Sequence, residues 1–383
     1  MSQRQAFITR IASHLPNAPI DNERMEDVLG RVDGQASRAR RVVLRKNGIR
    51  SRHYVIDPAT GLPTMNNAQL TAEAVRGLGG DGFSLDEIDC LVCGTSLPDQ
   101  IMPNHAVMVH GELGTPSCEV AATAGVCLAG TTAIKYAWSS VLAGVSRHAV
   151  ATGSEVASML MRAEHFEPEI AARVAALEEN PEIAFEKDFL RWMLSDGAGA
   201  VLIEDQPRAG GVNLRIDWME FFSYAHELPA CMYAGAERDA DGGLRGWLAQ
   251  SPAERQRNSA FALKQDVRLL NEKIIEYMFN RPFEVLREKR GLSAGAVDWL
   301  LPHISSEYFR EPIERALHEM DFAVSQSRWF TNLGECGNTG SASIYLMLDE
   351  LVKSGRLRSG QRILCVVPES GRFSSGYFHL TVV

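Results

Sequence analysis

An internal repeat constrains this chain more than any other feature. Gly125-Val126-Cys127 leads through Ala129-Gly130-Thr131-Thr132-Ala133-Ile134 into a helical pattern ending near Ala143-Gly144, followed by a strand pattern at His148–Thr152 and then Gly153-Ser154-Glu155. The same order returns later. Cys336-Gly337-Asn338 leads through Thr339-Gly340-Ser341-Ala342-Ser343-Ile344 into a helical pattern ending near Ser354-Gly355, then a strand pattern at Arg362–Val367 and Glu369-Ser370-Gly371. Self-similarity of this kind points to a duplicated supersecondary unit. Both copies put small residues in the first turn of the helix, where backbones approach closely and free amide groups can meet negative charge. Two related helix starts predict one site between two related halves.

Further apolar runs at Ile88–Cys93, Ala198–Ile203 and Val297–Leu301 are short and bounded by Gly, Pro, Ser or Asp, as buried strands are. Helical patterns cover Leu70–Leu78, Leu128–Leu142, Leu263–Lys289, Arg310–Met320 and Ser341–Lys353. The alternation predicts an α/β layered fold. A length of 383 residues suits either one packed domain or two joined halves, and the repeat places their junction near residue 206, giving halves 1–206 and 207–383.

Composition excludes several classes. With 45% apolar and 23% charged residues the chain is neither disordered nor fibrous. No apolar run approaches the roughly 18 residues that span a membrane. Met1–Phe7 shows no signal-peptide pattern, and seven cysteines, an odd number, fit reduced thiols, so a cytoplasmic location is expected. A formal charge of −9 argues against general nucleic-acid binding. Against that background, Arg38, Arg40, Arg41, Arg45, Lys46, Arg50 and Arg52 form a run without an acid. The run suits either a phosphate or acidic partner, or a solvated face. Cys90-Leu91-Val92-Cys93 has redox or metal spacing but lies in a strand pattern with no second pair, which favours core filling.

Three residues could carry chemistry. Cys127 opens an amphipathic helix, where the dipole favours a thiolate, the form that attacks a thioester carbonyl; alone, it also fits a small buried hydrophobe. His303, in Leu300-Leu301-Pro302-His303, follows a strand pattern, at the edge where α/β folds bind ligands. Asn338 occupies in the second copy the place of Cys127 in the first, and alone it reads as a helix cap.

Together, Asn47-Gly48-Ile49-Arg50-Ser51-Arg52-His53, Glu119–Ala122 leading to Cys127, Val150–Glu155, Ser195–Ala200, Pro302-His303 and Gly337-Asn338-Thr339 with Ser341-Ala342-Ser343 resemble the beta-ketoacyl-acyl-carrier-protein synthase III family of the thiolase-like superfamily. The resemblance spans nearly the whole chain. It implies a thiolase-like fold: two pseudo-symmetric βαβαβ-type halves in a layered α/β/α/β/α core. It also implies an acyltransferase forming carbon–carbon bonds by Claisen condensation. Cys127 would accept the acyl group; His303 and Asn338 would stabilise the enolate of the extender, as paired donors aimed at an oxyanion do. A second oxyanion hole would use the Cys127 amide and one from the turn at Ser370 and Gly371. The family is homodimeric, and Met102, before Pro103, matches a loop that enters the neighbour's acyl pocket; core filler is the alternative reading. The resemblance implies no metal or redox cofactor, only pantetheine-linked acyl thioesters.

Departures from the family pattern sharpen the expectation. His303-Ile304-Ser305-Ser306 replaces His-Gln-Ala-Asn, and Arg41 stands where an aromatic residue stacks on coenzyme A, although Arg45 keeps the nearby basic position. This favours acyl carrier protein, an acidic partner for the basic run, as donor. Glu155 replaces aspartate and fits either an extra general base or a carboxylate bonded to backbone amides. Residues 160–192 exceed the family core, and Pro168–Leu177 within them reads as a helix capping the acyl tunnel. Phe189–Gly197 resembles the branch that joins beta-ketoacyl units into cyclohexanediones or dialkylresorcinols. The rival readings are acyl transfer to oxygen or nitrogen, and a non-catalytic subunit of a heteromeric synthase; retention of Cys127, His303 and Asn338 weighs against the latter.

Overall fold

All five runs expected to be strands are strands, and four more join them. In the computed structural model, which describes residues 4–37, 40–80, 82–166, 190–239 and 241–383, one hydrogen-bonded sheet holds β1 (Phe7–His14), β2 (Cys90–Thr95), β3 (Glu119–Ala124), β4 (Ala149–Glu155), β5 (Gly197–Glu204), β6 (Leu214–Ser223), β7 (Trp299–Pro302), β8 (Arg362–Glu369) and β9 (Ser374–Val382). Their spatial order is β7-β8-β9-β6-β1-β5-β4-β2-β3. The central seam is thin: β1 meets β6 only at Phe7–Arg215 and Ile8–Leu214. On either side the order repeats, β1-β5-β4-β2-β3 against β6-β9-β8-β7. The missing fifth strand of the second set shrinks to a bridge between Leu300 and Trp329, with Phe330 N donating to Leu300 O at 2.9 Å.

Helices cover both faces of the sheet, so its inner strands are buried throughout, as β2, β4 and β5 are. Three apolar clusters define the layers. Leu91, Cys93, Val150 and Leu202 face the helices Asn67–Arg76 and His105–Leu113. Val92, Ala151 and Val201 face the other way, onto the helix Leu128–Ala143 and its counterpart Ser343–Lys353, which in turn cover Ile363, Cys365 and Phe378. Leu364, Val366 and Tyr377 pack beneath the helices of 267–290 and Arg310–Glu319. The result is the α/β/α/β/α core. Cys90 and Cys93 fall in different clusters on opposite faces of β2, so they cannot act as a pair.

The long helical pattern Leu263–Lys289 is modified at two places. Lys264–Gln265 instead pair as a short strand with Met232–Tyr233, and the helix starts at Val267, where the Asp266 side chain accepts from Leu269 N at 2.9 Å. Pro282 has no N–H to donate, and the chain widens into a π turn at Glu276–Asn280 just before it. The segment Pro168–Leu177 and Phe189 lie outside the described residues.

The two central helices meet at their first turns, and glycine permits the contact. A Cβ on Gly130 or on Gly153 would stand 2.3 Å from the backbone oxygen of Ser341. Tyr345 Oη donates to Gly130 O at 2.7 Å, tying the two helices together. Backbone cannot retreat as a flexible side chain can, so Gly130→Ala is expected to lower stability by about 1–3 kcal/mol in urea titration. Gly111→Ala, in a helix with nothing within 4 Å of its new methyl, is expected to be neutral or to stabilise by up to about 1 kcal/mol.

Candidate active site

Strand β3 ends at Ala124, Gly125 turns the chain at φ +155°, and Cys127 becomes the N-cap of the helix Leu128–Ala143. Thr123 Oγ1 donates to Ala129 O at 2.8 Å and ties the strand end to the helix start. The thiol is buried at 8% exposure and borders two chambers.

His303 follows β7 directly, with its backbone N donating to Val366 O at 2.8 Å. Burial lowers its imidazole to about 4, so at neutral pH it is uncharged and offers one N–H. Asn338 is pinned by backbone bonds on both sides: its N donates to Met193 O and its O accepts from Ser195 N, each at 2.9 Å. Its Oδ1 accepts from Gly340 N at 3.0 Å, so Nδ2 is the end left to donate. Cys127, His303 and Asn338 line one chamber, whose walls include Leu270, Ile274 and Phe279. The three candidate residues thus meet.

Glu155, ending β4, lines the second chamber with Cys127, Asn338, Ser96 and Ser195. Its Oε1 accepts from Ser96 N at 3.2 Å and Ser341 N at 3.3 Å, and its Oε2 from Ser96 Oγ at 2.5 Å. Burial raises the carboxyl to about 7 despite these bonds. The side chain is bonded to backbone amides, as one expected reading has it, and it also faces a chamber that Cys127 lines.

One expectation is corrected. The helix dipole was expected to favour the Cys127 thiolate, but burial first, then the carboxylates of Glu369 and Glu155, push the thiol well above its ordinary value. Glu369 Oε2 accepts from Val126 N at 2.7 Å and Leu128 N at 3.0 Å, taking the amides on which the dipole effect depends. The turn expected to supply an oxyanion amide thus meets the backbone around Cys127 through this side chain. Ser370 lines the first chamber and its Oγ accepts from Gln265 Nε2 at 3.0 Å. Gly371 stands behind, its carbonyl accepting from Cys231 N at 2.8 Å and Met232 N at 3.2 Å.

The remaining expected residues lie outside the chambers. Met102 is 83% exposed beside exposed Ile101. Arg41 and Arg45 are exposed on the helix Arg40–Asn47, which packs on the turn Glu307–Phe309, where Phe309 walls the His303 chamber. The basic run does not act as one patch. Arg50 pairs with Glu335, Arg52 is fully buried and donates to Asn22 Oδ1 and Trp192 O, and Arg38 lies outside the described residues. Two residues that sequence reasoning missed are Met232, shared by both chambers, and Glu369. Glu369 was visible as the strand-end acid equivalent to Glu155. Nothing in the sequence around Met232 marked it.

Comparison with known proteins agrees with this geometry. Residues 287–376, which contain His303 and Asn338, match the family described as 3-oxoacyl-[acyl-carrier-protein (ACP)] synthase III C terminal. A beta-ketoacyl-[acyl-carrier-protein] synthase III of Xanthomonas oryzae pv. oryzae is 26% identical over 372 residues, 95% of each chain. Among solved structures, OleA of Xanthomonas campestris superposes with a TM-score of 0.74 at 18% identity, covering 99% of each chain. A tetronic acid condensing enzyme does so at 0.72 and 20% identity, covering 98% of this chain and 99% of the other. For 3-oxoacyl-(acyl carrier protein) synthase III of Pseudomonas aeruginosa PAO1 the values are 0.68 and 20%, with 99% and 98% covered. In fold and along nearly its whole length the chain is thus similar to beta-ketoacyl-[acyl-carrier-protein] synthase III proteins, and Cys127, His303 and Asn338 line one chamber in it.

Proposed function

We propose that the protein is a ketosynthase that joins two acyl thioesters by Claisen condensation through an acyl-Cys127 intermediate. The observation that carries this reading is the meeting of Cys127, His303 and Asn338 on one chamber. The Cys127 sulfur loses its proton and attacks the acyl carbonyl, and the pantetheine sulfur leaves with a proton. The extender's thioester carbonyl then accepts from neutral His303 and from Asn338 Nδ2. As carbon dioxide departs from a malonyl extender, those donors hold the enolate oxygen. The enolate carbon attacks the acyl-Cys127 carbonyl, and the cysteine sulfur is expelled.

A second reading has its own support in Glu155 and the second chamber. A beta-ketoacyl extender has no carboxylate to lose, so a base must remove its α-proton. A buried carboxyl near 7 is matched to that task, and Cys127 borders two chambers, one for each acyl unit in this reading. Condensation and cyclisation of two beta-ketoacyl units to a cyclohexanedione or dialkylresorcinol would then be the outcome.

Acyl carrier protein is the proposed donor, docking on the basic face that bears Arg41 and Arg45. A homodimer is proposed as well. β3 is an edge strand with exposed positions, a surface that proteins cover or protect, and exposed Met102 needs a second copy to reach a chamber. Among the described residues no helix is long and apolar enough to cross a membrane, and a cytoplasmic location is proposed.

Incubation with a panel of acyl- and beta-ketoacyl-carrier thioesters, with products identified by mass, tests the proposal. His303→Ala is expected to load acyl groups normally while condensation falls by at least about 100-fold, the scale of a lost oxyanion donor; full condensation would remove its role. Glu155→Gln is expected to abolish the rise in beta-ketoacyl condensation rate through about pH 7. Because the folded carboxyl is raised, wild-type stability contributed by this group falls as pH climbs from its unfolded value through about 7. The glutamine variant should therefore gain stability relative to wild type between pH 5 and pH 8. Light scattering should return twice the chain mass of 42.2 kDa; a monomer would end the proposed role of Met102.

A further inference from the structure

Two glutamates end equivalent strands and each reaches into the opposite half. Glu155, at the end of β4, accepts from Ser341 N in the first turn beside the helix Ser343–Lys353. Glu369, at the end of β8, accepts from Val126 N and Leu128 N around the nucleophile. Glu369 does not take the amide between those two, that of Cys127. Gly125 leaves the space that the carboxylate fills: a Cβ there would stand 3.1 Å from Glu369 Oε2.

The ionisable side chains facing the sulfur supply no positive charge at neutral pH. Glu155 faces it from β4, Glu369 from β8, and His303, uncharged at neutral pH, from the end of β7. Among the described residues neither chamber is lined by a lysine or arginine. A free sulfur anion here meets carboxylate instead of cation, and the flanking helix-end amides are already engaged.

We propose that Glu369 is a positioning residue that stores the nucleophile as a thiol. Its carboxylate clamps the Val126–Leu128 turn, occupies the two amides that would stabilise a sulfur anion, and leaves the Cys127 amide to receive the carbonyl oxygen of an incoming acyl thioester. The inference rests on Cys127 being the acyl-accepting residue. An acylated sulfur is uncharged, so the carboxylate disfavours only the unloaded anion. The clamp thereby protects the idle cysteine from stray electrophiles without penalising the loaded form.

The test is the pH profile of Cys127 alkylation by iodoacetamide, read peptide by peptide by mass spectrometry, with partly exposed Cys118 as the control in the same sample. Glu369→Gln keeps an acceptor for both amides and removes the charge. It is expected to move the Cys127 profile at least about one pH unit lower, roughly a tenfold faster reaction at pH 7, with Cys118 unchanged. Glu155→Gln is expected to move it less. A Glu369→Gln profile that overlies wild type, or an equal or larger shift in Glu155→Gln, would overturn the proposal. Should Glu369→Gln fail to fold, wild-type protein carries the test. Cys127 is then expected to prefer neutral iodoacetamide over anionic iodoacetate at least about tenfold more strongly than Cys118 does, and equal preference would overturn the clamp. Mass analysis after exposure to acyl thioester separates the two readings: absence of an adduct on Cys127 in both proteins refutes the ketosynthase function, while the alkylation profiles judge the clamp on their own.

Discussion

Everything in this structure depends on how closely two helix starts approach across the repeat. Gly130 and Gly153 let the Ser341 carbonyl sit where side chains would otherwise stand, and the Tyr345 hydroxyl fixes the spacing through Gly130 O. Because the helix that Cys127 caps begins within this contact, Cys127 cannot drift from the turn that holds Asn338. The strand ends that carry Glu155, His303 and Glu369 converge on the same region. A methyl group at either glycine would separate halves whose chemistry requires them to touch.

Burial then sets the electrostatic character of the site. Cys127 rests as a thiol, His303 as a neutral imidazole, and Glu155 between its two forms near neutrality. In the proposed reaction such a site works through aimed donors and proton movements, with charge appearing only as the reaction proceeds. Low polarity strengthens each hydrogen bond that meets that charge. It also suits the proposed acyl substrates, because Leu270, Ile274 and Phe279 give one chamber apolar walls.

Much of this was legible in the amino-acid order. Small residues at helix starts are conspicuous, and the pairing of Cys127 with Asn338 followed from the repeat once His303 was placed at a strand end. The branch of chemistry was harder to read, because it depends on the direction of side chains. Glu369 stood in a turn expected to contribute a backbone amide, yet its side chain, folded back on Val126 and Leu128, adds to burial in holding the Cys127 thiol protonated. Arg50 and Arg52 looked like members of a basic face, but one pairs with Glu335 and the other is enclosed by the core. Met232 enters both chambers through a short strand pairing with Gln265, a contact between residues distant in sequence that local patterning does not encode.

The most direct measurement is to mix the protein with an acyl-carrier thioester, quench in acid without extender, and map the added mass by peptide. A thioester-linked acyl group on the peptide containing Cys127, released by hydroxylamine, is the expected result. A protein that condenses acyl groups while its adduct sits on another residue, or forms none, would contradict the account.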